Sequence, residues 1–197
     1  APAGRFTVIF HPTITGLLVH EALGHNSEAD AVWAGQSILE GRLGETLAAP
    51  CVSIYDDSTL PGEFGSYAYD SEGTAGRRRA IIENGRLVGF LHSLETAAKF
   101  GAEPTGSARA ESYDVRPIPR MSNTFMAQGT AAFDEMVRGV ERGIYLMDGH
   151  WGYVFVQKGQ FICHAGQACM IEKGRLGEPL RDVSISSMTL DALRKID

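Results

Sequence analysis

The run Arg5-Phe6-Thr7-Val8-Ile9-Phe10 is dense in β-branched and aromatic residues and predicts a strand closed by His11-Pro12. After it the apolar period changes. Leu17, Leu18, Ala22, Leu23, Ala29 and Val32 suit a helix capped by Thr13 or Thr15, running to about Trp33 and stopped at Gly35. Cys51 to Tyr55 predicts a strand, and residues 62–76 a loop of Gly, Tyr and acids. Ala80-Ile81-Ile82 and Leu87 to Leu91 flank Asn84-Gly85, the pair favoured in a type I′ hairpin turn. Ser93 is placed to cap a short helix through Phe100.

Residues 103–120 are Pro-rich and polar, which predicts an ordered loop or edge segment. Ala132, Phe133, Met136, Val137 and Val140 line one side of a helix from Thr130 to about Arg142. Beyond it the pattern is β-like. Strands are expected at 152–156, 160–163 and 168–171, with turns at Lys158-Gly159, Ala165-Gly166 and Lys173-Gly174. Together these elements predict an α+β domain, mostly antiparallel β-sheet, with a central metal-binding helix and few other helices.

A chain of 197 residues suffices for one domain with a real core. Its formal charge of −6, with Arg77-Arg78-Arg79 its one basic cluster, gives no electrostatic footprint for nucleic acid. No apolar run approaches the ~20 residues of a membrane span. Three cysteines, Cys51, Cys163 and Cys169, do not make a disulfide framework and suit a reducing cytoplasm. The chain opens Ala-Pro-Ala-Gly, not Met, which suggests a fragment.

The candidate chemistry lies in Val19-His20-Glu21-Ala22-Leu23-Gly24-His25, an HExxxH pattern. Zinc favours imidazole nitrogen, and a catalytic zinc keeps an open position for water. A carboxylate beside a ligand can take that water's proton. The spacing sets a geometric condition. At about 100° per residue, positions i and i+5 of a regular helix lie ~140° apart, so the two rings would diverge. A π-bulge over residues 20–25 brings them to one face, and Gly24 is where such a distortion is easiest. The competing reading is a buried helix with two incidental histidines. The apolar flanks weigh against it, because burying His and Glu there is costly without a charged partner.

From these residues onward the chain resembles the TldD/PmbA family of metalloproteases, once called modulators of DNA gyrase. The resemblance runs through residues 24–30, Gly41-Arg42-Leu43-Gly44, Asp56-Asp57, residues 70–74 and Ile82 to Gly85. It continues through residues 105–109, Glu111-Ser112-Tyr113, residues 119–124, 142–145 and 171–174. It implies a TldD-type subunit whose C-terminal β-rich domain spans residues 1–197, without an N-terminal α/β domain or C-terminal tail. It also implies Zn²⁺ held by His20 and His25, with Glu21 as the catalytic carboxylate. The implied substrates are unfolded or extended peptides, and the implied partner is a second copy or a PmbA-like subunit. In the family a third metal ligand is a cysteine in a Gly-x-Cys-Gly segment, and none of Cys51, Cys163 or Cys169 stands in one. The alternative is a non-catalytic peptide-binding or scaffold subunit.

Other residues carry two readings each. Cys163, His164 and Cys169 are substitute ligands or core packing. Glu28 orients His25 or is a solvated charge. Asp56, Asp57, Asp70 and Glu72 hold a hard cation or build turns, and Arg109 and Arg120 bind a substrate group or make structural ion pairs. His150-Trp151 is a mobile wall or a packed turn.

Overall fold

The computed structural model describes residues 3–197, the side chain of His150 excepted. The chain order begins β1 (Thr7–Phe10), α1 (Pro12–Val19), a π-helical turn (His20–Gly24), a 3-10 turn (His25–Ser27) and α2 (Ala29–Trp33). Then come β2 (Ile54–Asp57), β3 (Arg78–Glu83), β4 (Arg86–Leu87), α3 (Leu94–Phe100), β5 (Ala108–Arg109), β6 (Ile118–Pro119) and β7 (Thr124–Met126). The last five are α4 (Phe133–Arg138), β8 (Arg142–Phe155), β9 (Gln160–Glu172), β10 (Arg175–Met188) and α5 (Thr189–Leu193).

Two four-stranded sheets and a two-stranded ribbon result. The first sheet has the order β1-β8-β9-β10, with β1 parallel to β8 and the other pairs antiparallel. The second is antiparallel throughout, in the order β4-β3-β2-β7, and β5 pairs with β6. The fold is therefore α+β and mostly antiparallel, as the sequence predicts.

Helix α1 and the π-helical turn lie between the two sheets. Leu18 and Ala22 pack with Phe161 and Cys163 of β9, and Ile14 joins Ile144 and Leu146 of β8. On the other side Val19 and Leu23, fully buried, enter the large cluster with Ile54, Ile81 and Leu87 of the second sheet. Each such side chain contributes roughly 1.5–3 kcal/mol by burial, so this segment is clamped on two faces.

Several boundaries differ from the sequence expectation. The N-cap of α1 is His11, not Thr13 or Thr15. Pro12 disfavours helical backbone at the residue before it and is itself preset for a first turn, so His11 stays extended (φ −61°, ψ 150°) and its ring accepts from the Thr13 N–H. The single helix expected to reach Trp33 is interrupted. Glu28 is extended (φ −67°, ψ 117°) because the chain docks on Leu91, with Ala29 donating to the Leu91 carbonyl and Leu91 donating to that of Ser27. The expected turn at Ala165-Gly166 does not form, and β9 runs straight through. The irregularity falls in its partner β8, whose register shifts between Leu146 and Trp151. Strand β10 follows the expected turn at Lys173-Gly174; Gly177 and Pro179 are tolerated in it because it is a sheet edge and shifts register at Leu176–Pro179.

The hairpin expected at Asn84-Gly85 forms. Asn84 (φ 49°) and Gly85 (φ 81°) both adopt the left-handed conformation that a type I′ turn needs. Ser93 caps α3 by accepting from the Thr96 N–H, and Gly101 ends it at φ 63°.

Candidate metal centre

The i+5 spacing of the two histidines is resolved by the backbone. The His25 N–H donates to the carbonyl of His20, the i→i+5 bond of a π-helix, and the turn spans His20–Gly24. The two imidazoles consequently meet, with ring centroids 4.7 Å apart and planes at 86°. Gly24 serves by lacking a Cβ, as expected. Its backbone is ordinary right-handed helix (φ −54°, ψ −56°) and needs no glycine for conformational freedom. The requirement is steric: a Cβ there would lie 2.0 Å from the sulfur of Met121, which packs directly on the turn.

The turn frees backbone carbonyls, and neighbouring side chains take them up. Asn26 donates to the Ala22 carbonyl at 3.2 Å, and Ser27 to that of Gly24 at 2.7 Å. Asn26 in turn accepts from the Ile38 N–H, and Ser37 donates to the Asn26 carbonyl at 2.6 Å. The irregular segment is thus fixed from both ends.

His20 faces solvent, while Glu21 and His25 are half-buried. Partial burial lowers the His20 pKa, and the nearby His25, Arg120 and Arg109 lower it further against the opposing pull of Glu28. That direction favours the neutral ring, the form that binds a metal. Burial raises the Glu21 pKa, opposed by His25. Gly152 of β8 makes room for this side chain, since a Cβ there would lie 2.9 Å from Glu21 Cγ. Neither Met121 nor Gly152 carried a sequence signal; both contacts arise from chain pairing over long separations.

Glu28 is buried and not a solvated charge. Its Oε2 lies 3.3 Å from His25 Nδ1, and Arg120 Nη1 lies 3.3 Å from the carboxylate. Arg120 therefore makes the structural ion pair. Arg109 sits beside it on the β5–β6 ribbon, exposed.

The other sequence candidates are not gathered here. Cys163 packs among Leu18, Ala22 and Phe161; burial, with Glu21 nearby, pushes its thiol up to about 12. Cys169 is buried too, and Cys51 is exposed. His164 accepts from or donates to Ser184 Oγ at 2.7 Å and stacks on Trp151 at 3.9 Å, a cross-strand row on the first sheet. Of the pair His150-Trp151, the His150 side chain lies outside the described residues.

The four acids are consumed by turns and ion pairs. Asp56 takes Arg79 at 2.6 Å and Ser122, Asp57 takes Thr59, Asp70 caps its own loop through Glu72 and Thr74, and Glu72 accepts from the Leu94 N–H. Among the described residues, no group of three or more His, Cys, Asp or Glu side chains is placed to hold a metal. His20 and His25 fit two positions of a zinc site, which takes three protein ligands when catalytic. No described helix is long and apolar enough to cross a membrane.

The chain is similar to known proteins over its full described length. Residues 3–197 match the family model described as PmbA/TldA metallopeptidase C-terminal domain. The chain is 45% identical over 196 residues to a metalloprotease of Methanothermobacter thermautotrophicus, covering all of this chain and 43% of that protein. It is 35% identical over 198 residues to a zinc metalloprotease TldD homolog of Saccharolobus solfataricus, covering 99% of this chain and 44% of that one. Among solved structures, a candidate modulator of a DNA gyrase from Thermotoga maritima superposes with a TM-score of 0.85 at 32% identity, over 100% of this chain and 44% of that chain. TldE from Thermococcus kodakarensis shares the fold, with a TM-score of 0.82 at 23% identity over 95% of this chain and 42% of that one. The chain thus spans less than half the length of these relatives.

Proposed function

The chain belongs to the PmbA/TldD metallopeptidase family as its C-terminal domain, and from that premise we propose that it is the zinc-binding part of a peptidase acting on unfolded or extended peptides. The observation that carries the reading is the convergence of His20 and His25 on the π-helical turn, with Glu21 beside them. His20 and His25 supply two of the metal ligands, and a further donor completes the set. Bound there, zinc supplies Lewis acidity and a water whose pKa lies near 7.

Glu21 is the proton carrier. Its carboxylate accepts the proton of the attacking water and returns it to the leaving amine nitrogen as the peptide bond breaks. Partial burial, which raises its pKa, favours the uptake step by making the carboxylate a stronger base toward the water's proton. An extended substrate is bound by strand addition, and β7 is suited to it. That strand ends the second sheet and runs beside α1 and the π-helical turn. Main-chain hydrogen bonds then give affinity with little side-chain preference. The working assembly is a pair, with a second copy or with a PmbA-like subunit, in a reducing cytoplasm that suits three free cysteines.

The test is Glu21→Gln in the intact protein. Cleavage of an unfolded peptide should drop by about 10²–10⁴-fold, with zinc content unchanged. Full activity in that variant would remove Glu21 from the mechanism. An intact protein that binds extended peptides and holds no zinc would favour the non-catalytic subunit instead.

A further inference from the structure

Glu28 is an unusual residue to find where it is. Its side chain is 8% exposed, yet it sits in extended backbone between the 3-10 turn and α2, with Oε1 buried and without a hydrogen bond among the described residues. Oε2 lies 3.3 Å from His25 Nδ1. Arg120 Nη1 is 3.3 Å from each oxygen, and its hydrogen bond goes to Oε2, the oxygen already facing the imidazole. The backbone on both sides of Glu28 is hydrogen-bonded to Leu91, which fixes the point from which the carboxylate reaches the ring.

Buried carboxylates are costly, and an under-satisfied one is more so. If the pair existed only to neutralise Arg120, a partly exposed arginine could be neutralised in solvent more cheaply. The geometry instead aims the negative charge at one ring nitrogen of His25. An imidazole whose Nδ1 faces a carboxylate keeps its proton there and offers Nε2 as its lone pair.

We propose that Glu28 is a positioning residue for the metal ligand: it accepts a hydrogen bond from the Nδ1–H of His25, fixes the ring plane and tautomer, and leaves Nε2 to bind zinc. The proposal rests on the zinc reading above. Arg120 does not share the role; it offsets part of the carboxylate's charge.

The experiment is a double-mutant cycle in the intact protein, read as zinc affinity by chelator competition, alongside thermal melting. Glu28→Gln should weaken zinc by about 10–100-fold with the fold kept. Arg120→Gln should leave zinc affinity within about threefold of wild type. The double variant should stay as weak as Glu28→Gln alone. A double variant restored to wild-type affinity would overturn the proposal, because Glu28 would then serve only to balance Arg120. Wild-type affinity in Glu28→Gln would overturn it as well. Should Glu28→Gln not fold, the ¹⁵N resonances of His25 in the metal-free wild type decide: a proton on Nδ1 supports the assignment, and one on Nε2 refutes it. A wild-type protein that binds no zinc would sink the metal reading together with this one, whereas zinc bound normally by both wild type and Glu28→Gln would sink this one alone.

Discussion

Replacing Gly24 with alanine puts the packing of the π-helical turn to a test whose sign is informative. In an ordinary helix interior Gly→Ala stabilises by roughly 0.5–1 kcal/mol, because glycine loses more backbone entropy on folding. Gly24 has helical dihedrals, so that gain is available here. Against it stands the Met121 thioether. The new Cβ would lie 2.0 Å from the sulfur, 3.1 Å from Cε and 3.3 Å from Cγ, and Met121 is itself buried in the large core cluster, 6% exposed. Forcing a methyl group into a packed interior costs typically 1–3 kcal/mol. The overlap is deep enough that the cost wins, and a net loss of about 1–2 kcal/mol is expected. Urea titration of the intact protein measures it. Met121→Ala alone should cost about 2–5 kcal/mol by cavity formation. In the double variant the alanine fills part of that cavity, so the two losses should fall short of additivity by about 1 kcal/mol or more. A Gly24→Ala variant more stable than wild type, or strictly additive losses, would show that Met121 does not pack against the turn as described.

Other consequences follow from the same contacts. Gly152→Ala places a Cβ 2.9 Å from Glu21 Cγ and 3.2 Å from Leu17 Cδ1; peptide turnover should fall by about tenfold or more, with zinc content unchanged by elemental analysis. Asp56→Asn breaks an ion pair whose side chains are 0% and 5% exposed, and should cost about 3–5 kcal/mol in chemical denaturation. Cys163 should resist iodoacetamide at pH 8 in the folded protein while exposed Cys51 is alkylated, as peptide mass mapping would report. The same thiol links stability to pH. Unfolded, it loses its proton near the ordinary thiol value of 9.0, whereas folded it keeps it to about 12. Between these values the folded state binds more protons, so this contribution is intact below 9 and is lost as pH rises toward 12. Cys163→Ala should flatten the fall in stability over that window.

Much of the second sheet was legible because its turns are chemically explicit. Asn84-Gly85 needs two left-handed residues, and Ser93 followed by Thr96 is a self-satisfying cap. The π-helical turn was legible for a different reason. His20 and His25 can share a face only if one residue is inserted into the helix, so chemistry at that spacing dictates the backbone. What the sequence hid depends on distant pairing. Ala165-Gly166 looks like a turn, yet the kink it suggested is carried by β8, to which β9 is matched. Edge strand β10 lacks the alternation of a half-buried strand, since it is largely exposed on both faces. Met121 reaches Gly24 from 97 residues further along the chain and Gly152 reaches Glu21 from 131, and no local pattern shows either contact.

The central claim is that His20 and His25 bind one zinc ion together, and X-ray absorption fine structure of the zinc-loaded intact protein addresses it most directly. Two imidazole ligands are expected in the wild type, and one fewer, with much weaker retention, in His20→Ala and in His25→Ala. A zinc shell with no imidazole, or one unchanged in both variants, would contradict the account.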